Sequence, residues 1–157
     1  MAIDYRKSKP PVARSAARLG AIQALYQMDL AATDVGEVLA QFSARASGDD
    51  FDDGQCGQAD YKHLKDVVEG VVREQLTLDR KVDDCLADEW TLSRLDVTLR
   101  AILRAGAYEL MFRQDVPAKA AISEYVDVTR AFFEEDEPKF VNGVLDALAK
   151  SLIEPRL

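Results

Sequence analysis

Two cysteines, one histidine and one tryptophan in 157 residues are few enough to exclude several functions at once. A structural zinc site takes four Cys/His ligands in close pairs, which Cys56, Cys85 and His63 cannot supply. With no Cys-x-x-Cys spacing, the two thiols read as free cysteines of a reducing cytosol rather than a redox pair. No apolar run approaches the roughly 18 to 20 residues that span a bilayer. Met1–Pro10 is polar, without the apolar core of a signal peptide. A chain that crosses no membrane and stays in the cytoplasm is therefore expected.

Recognisable chemistry is also scarce. Gly48, Gly54 and Gly57 fit neither common phosphate-binding glycine pattern. The acidic stretch from Asp49 places Asp53, Gly54 and Asp60 at calcium-loop positions, but Phe51 stands where a ligand is needed. The closing Asp is also shorter than the usual bidentate Glu, so the stretch reads as a solvated loop. No Ser, Cys or Asp motif frames His63 as the base of a nucleophile; it reads as a surface or rim histidine. The expectation is no catalytic residue, no metal and no cofactor: a binding protein rather than an enzyme.

Hydrophobic residues at 48% and charged residues at 31% describe an ordinary globular chain, by length a single domain or two small subdomains. The net charge is −8, unevenly spread. Residues 1–28 hold five basic side chains (Arg6, Lys7, Lys9, Arg14, Arg18) against Asp4 alone, hence +4. The remainder holds 15 basic against 27 acidic, hence −12. A basic arm on an acidic body is a footprint of polyanion binding, or simply a solvated tail.

Helical periodicity dominates. Ala17, Ala21, Ala24, Leu25 and Met28 form one stripe within 11–30, and Thr33 or Asp34 caps a second helix through Val38, Leu39 and Phe42. Residues 47–59, rich in Gly and Asp, read as a loop. A long helix follows from about Tyr61 with Leu64, Val67, Val68, Val71, Val72, Val82 and Leu86, and with a kink or break allowed at Thr77–Leu78. Ser93-Arg94-Leu95-Asp96 reads as a capping box for a helix bearing Leu99, Ile102, Leu103, Leu110 and Met111. Gly106 on that face would admit a neighbouring helix. Pro117 opens a helix with Ile122, Tyr125, Val126, Thr129, Phe132 and Phe133; Pro138 opens the last, with Phe140, Val141, Val144, Leu145 and Leu148. Without a period-2 run and hairpin turn, the expected class is all-α.

Arg14 and Arg18, spaced i, i+4, share a helix face between Tyr5 and Tyr26. Arginine forks suit phosphate oxygens, and aromatic faces suit unstacked bases. Lys139, Phe140 and Asn142 fall near the start of the last helix, where free N–H groups and the positive dipole end favour an anion. In the same stretch Val141, Val144 and Leu145 read as core, and Gly143 as a point of close helix packing. The residues alone leave Phe140 either core or surface.

Three stretches, in order and in register from about residue 11 to 150, resemble the NusB family of transcription antitermination factors. They are Ala13-Arg14 with Arg18 and Gln23-Ala24-Leu25-Tyr26; Leu103-Arg104 through Ala107-Tyr108-Glu109-Leu110, Asp115-Val116-Pro117 and Ala121-Ile122-Ser123-Glu124; and Lys139-Phe140-Val141-Asn142-Gly143-Val144-Leu145-Asp146. The resemblance implies about seven helices in two packed subdomains, here near 11–88 and 89–157 behind a basic arm at 1–10. It implies pairing with the ribosomal protein NusE and binding of boxA-type single-stranded RNA within the transcription elongation complex, in support of ribosomal RNA transcription; a weak homodimer is a further expectation. It places Arg14, Arg18, Tyr26, Lys139, Phe140 and Asn142 on one RNA surface. Ser15 and Ala16 stand where some members carry Arg, which weakens the expected RNA affinity or shifts the load to Arg6, Lys7 and Lys9 on the longer arm. Two rivals remain at this point. One is a helical protein–protein adaptor without specific RNA binding. The other is the recognition domain of an RNA methyltransferase, for which the chain shows no cofactor-binding α/β segment.

Overall fold

The computed structural model describes residues 9–47, 58–87 and 89–153. Among them are six α-helices, one 3-10 turn and no strand: α1 Lys9–Ala31, α2 Val35–Ser47, α3 Gln58–Asp84, the turn Leu92–Arg94, α4 Val97–Phe112, α5 Ala118–Phe132 and α6 Glu137–Ile153. The chain is all-α, as its periodicity predicts. It divides into two compact units within α3, between Glu69 and Gly70.

In the first unit, α1 turns its alanine-rich stripe inward: Ala17, Ala21, Ile22, Ala24 and Leu25 are buried, with Val38, Leu39 and Phe42 of α2 and Leu64, Val67 and Val68 of α3. The small side chains permit close approach. A Cβ on Gly20 would stand 2.7 Å from Leu64 Cδ1 and 3.5 Å from Phe42 Cε1. Just past the end of α1, Ala32 adopts φ 51°, the left-handed conformation that glycine more often supplies there. Asp34 then starts α2, its carboxylate accepting the Gly36 N–H at 3.0 Å and its carbonyl accepting Val38 N–H at 3.0 Å. His63 is buried rather than at the rim, because it falls on the inward face of α3 next to Leu64.

The second unit is built around α4, whose residues from Ala101 to Glu109 are buried apart from Arg104. Gly106 lies against α6 as expected: a Cβ there would stand 2.9 Å from Leu145 Cδ1. A partly buried pair, Arg104 to Asp79 at 2.9 and 3.0 Å, joins α4 to the second half of α3. Such two-point contacts fix geometry as well as adding energy. Helix α3 runs unbroken through Thr77–Leu78, so no kink is needed there. Val72 is exposed despite its helical spacing, and α5 ends at Phe132, which is also exposed, leaving Phe133 as the C-cap.

The capping box is corrected. Asp96 itself caps α4, its Oδ2 accepting Thr98 N–H at 2.8 Å and Leu99 N–H at 3.4 Å. Ser93 falls in the preceding 3-10 turn and meets the Thr91 hydroxyl at 3.1 Å. A carboxylate one residue before the helix satisfies two orphan N–H groups and interacts favourably with the dipole, so it prevails over the more distant serine.

Inside this unit, the Tyr125 hydroxyl donates to Glu109 Oε2, both groups fully buried, and Thr129 Oγ1 donates to the Tyr125 carbonyl at 2.7 Å. Among the described residues no buried side-chain N or O lacks a hydrogen-bond partner. Cys85 is a free thiol; burial, with Asp84 adding to it and Lys81 opposing, pushes its pKa up. Cys56 and the acidic stretch 48–57 lie outside the described residues. No helix among the described residues is long and apolar enough to cross a membrane.

Candidate nucleic-acid interface

On α1 the two arginines have different fates. Arg14 is exposed, whereas Arg18 is 2% exposed and among the largest fully buried side chains. Their shared face is the inward one, since Arg18 is in helical register with Ala21 and Leu25. Arg14, one turn nearer the helix end, escapes burial. An exposed Arg14–Arg18 pair is therefore corrected to one surface cation and one buried guanidinium, whose charge is tolerable only because its N–H groups are satisfied. Tyr26 is 42% exposed. It follows Arg14 by twelve residues, about 18 Å of helix rise and roughly a third of a turn around the axis, so the two do not converge. Arg6 and Lys7 lie outside the described residues, as does the Lys9 side chain.

On α6, Lys139 and Asn142 are exposed and Phe140 is half-buried, between the core and surface readings. Gly143 is corrected: it is exposed, and a Cβ there would meet nothing within 4 Å, so it admits no neighbouring helix. The anion-attracting helix start is also corrected. The first turn carries Glu137 behind exposed Glu134, Glu135 and Asp136, and the Phe140 N–H donates to the Asp136 carbonyl at 3.0 Å. The dipole end is thus matched by the chain's own carboxylates.

Lys139 and Asn142 instead line a groove of about 400 Å³ between α5 and α6, which Phe140 does not line. From α5 the groove receives Lys119, Ser123 and Arg130, and its apolar lining is Ile122, Val126 and Pro138. Asp146 is its single carboxylate and is held by Lys150 at 3.1 Å. Arg130 pairs with Asp127 at 2.7 Å, both side chains 63% exposed, a contact that solvent keeps weak. The sequence reading missed Lys119, Ser123 and Arg130. Their signal was an i, i+4, i+11 polar stripe beside the apolar stripe Ile122–Val126, and only the pairing of α5 with α6 gives it meaning.

The fold defines an all-α protein, with exposed cations at Arg14, Lys119, Arg130 and Lys139 and an exposed amide at Asn142. The chain belongs to the NusB family, whose model matches residues 15–150. It is 49% identical over 149 residues to the transcription antitermination protein NusB of Rhizobium rhizogenes, covering 95% of this chain and 93% of that one. To the NusB protein of Brucella anthropi it is 55% identical over 136 residues, covering 87% and 81%. Among solved structures, one of the antitermination factors NusB and NusE in complex with dsRNA shares 28% identity at a TM-score of 0.74, over 88% of this chain and 96% of that one. T. maritima NusB matches at 28% identity and a TM-score of 0.73, over 87% and 90%.

Proposed function

We propose that this chain is an RNA-binding transcription antitermination factor. Together with the ribosomal protein NusE it takes up a boxA-type single-stranded RNA within the elongation complex and supports ribosomal RNA transcription, with no chemistry of its own. The observation that carries this reading is membership of the NusB family across nearly the whole chain, a family with a solved member in complex with both NusE and RNA.

Arg14 and Lys139 supply phosphate contacts, Tyr26 and Phe140 supply aromatic faces, and Asn142 reads a base edge or sugar. Arg18 contributes indirectly, by fixing α1 from within. A net charge of −8 opposes RNA outside these positions, so a partner that adds cations and contact area is part of the mechanism. Titration of a boxA-type RNA with the chain alone, NusE alone and the mixture, at several salt concentrations, tests the reading. Expected is tighter binding by the mixture, with log K falling linearly against log salt. Failure of the mixture to bind RNA would overturn it, and would leave an adaptor that presents exposed apolar residues such as Val72 and Leu76 of α3 to a protein partner.

A further inference from the structure

In a chain with eight more acids than bases, Lys119 and Arg130 of α5 and Lys139 of α6 line a single groove against one carboxylate, Asp146. That carboxylate is already engaged by Lys150. Among the described residues neither lysine of the groove has an ion-pair partner, and Arg130 pairs with the exposed Asp127. Concentrating like charge in one concavity raises the local field towards an anion, so this arrangement works against the protein's overall sign.

The polar and apolar linings are sorted. Lys119, Ser123 and Arg130 share one stripe of α5, reaching about 16 Å along it. Ile122 and Val126 form the adjacent stripe and, with Pro138 of α6, a floor of side chains 9% exposed or less. Exposed cations beside a more buried apolar lining suit phosphate oxygens and the faces of bases respectively. Ser123 and Asn142 add a hydroxyl and an amide able to meet a ribose 2′-OH or a base edge.

From this we infer that the α5–α6 groove is a track for single-stranded RNA. Phosphates lie on Lys119, Arg130 and Lys139, and at least one nucleotide is seated over Ile122, Val126 and Pro138. The inference rests on the RNA-binding reading and extends it to three residues, Lys119, Ser123 and Arg130.

Two variants of the full chain test it, each titrated with a boxA-type RNA oligonucleotide in the presence of NusE. Lys119→Gln with Arg130→Gln removes two phosphate contacts. RNA affinity should fall roughly three- to tenfold and the salt slope by about 1.4, or 0.7 for each contact on a single strand. Ser123→Trp fills the groove without altering charge; it should lower affinity while leaving the slope from the remaining contacts in place. All three positions are exposed, so helicity and melting should match the parent chain. If the parent binds RNA and the double variant keeps its affinity and slope, the groove is off the RNA path and the inference fails while the reading stands. A fall in the double variant with none in Ser123→Trp overturns the groove as well, because the cations then act at a distance. Failure of the parent to bind RNA is a failure of the reading itself. Loss of NusE binding by the variants, with RNA binding intact, would assign the groove to an acidic protein surface and also overturn the inference.

Discussion

Gly70 of α3 lies under the ring of Tyr108 of α4, so closely that a Cβ on the glycine would stand 2.2 Å from Tyr108 Cε1 and Cζ. The ring cannot swing away freely, since Tyr108 is buried and stacked on Phe112 at 5.7 Å between centroids. Gly70→Ala should lower stability by about 1–2 kcal/mol, overpacking outweighing the gain in helix propensity. Chemical denaturation checks this; a stabilised variant would mean that the two helices separate at little cost.

Gly143 offers the opposite case. Open space around it leaves only the entropy a glycine loses in a helix, so Gly143→Ala should raise stability by about 0.5–1 kcal/mol. Thermal melting at matched concentration is the measurement, and a lower melting temperature would contradict the open surface.

Arg14→Ala should leave melting within about 1 kcal/mol of the parent, as exposed charges usually do. Arg18→Ala should cost roughly 3–5 kcal/mol, because it strands groups that the buried guanidinium satisfies. Leu25→Ala, in the same inward stripe, should cost about 2–5 kcal/mol. Equal, small effects at Arg14 and Arg18 would return Arg18 to the surface.

Asp96→Ala should cost about 1 kcal/mol through loss of the α4 cap, while Ser93→Ala should change little. The reverse ranking would restore the capping box.

Phe140→Ala separates two contributions. Partly exposed, the ring should cost less on truncation than the roughly 3–5 kcal/mol of a fully buried phenylalanine. If it also stacks on a base, RNA affinity measured on folded protein should fall by a further 1–3 kcal/mol or about that. Undiminished affinity would remove Phe140 from the RNA surface.

How much was legible in the sequence depended on whether a residue's role is set within one helix or between helices. Apolar spacing placed Ala21, Val67, Ile102 and Leu145 in the core, because burial follows the 3.6-residue period directly. The same period placed Arg14 and Arg18 on one face, but chemistry suggested that face was outward when its alanines and Leu25 face inward. Two glycines on apolar-looking helices, Gly106 and Gly143, read alike. Only the neighbour across the gap, Leu145 for one and nothing for the other, tells them apart. The groove went unread because its lining comes from two helices whose pairing no local spacing encodes.

Ala32 has a consequence for the order of folding. A left-handed backbone costs an L-residue roughly 1 kcal/mol or more, so the link between α1 and α2 does not by itself template their approach in an otherwise unformed chain. Contacts such as Gly20 with Phe42 must already hold the helices before that link closes. The link should therefore be unformed in the rate-limiting transition state. Ala32→Gly would then leave the folding rate nearly unchanged and alter mainly the rate of unfolding.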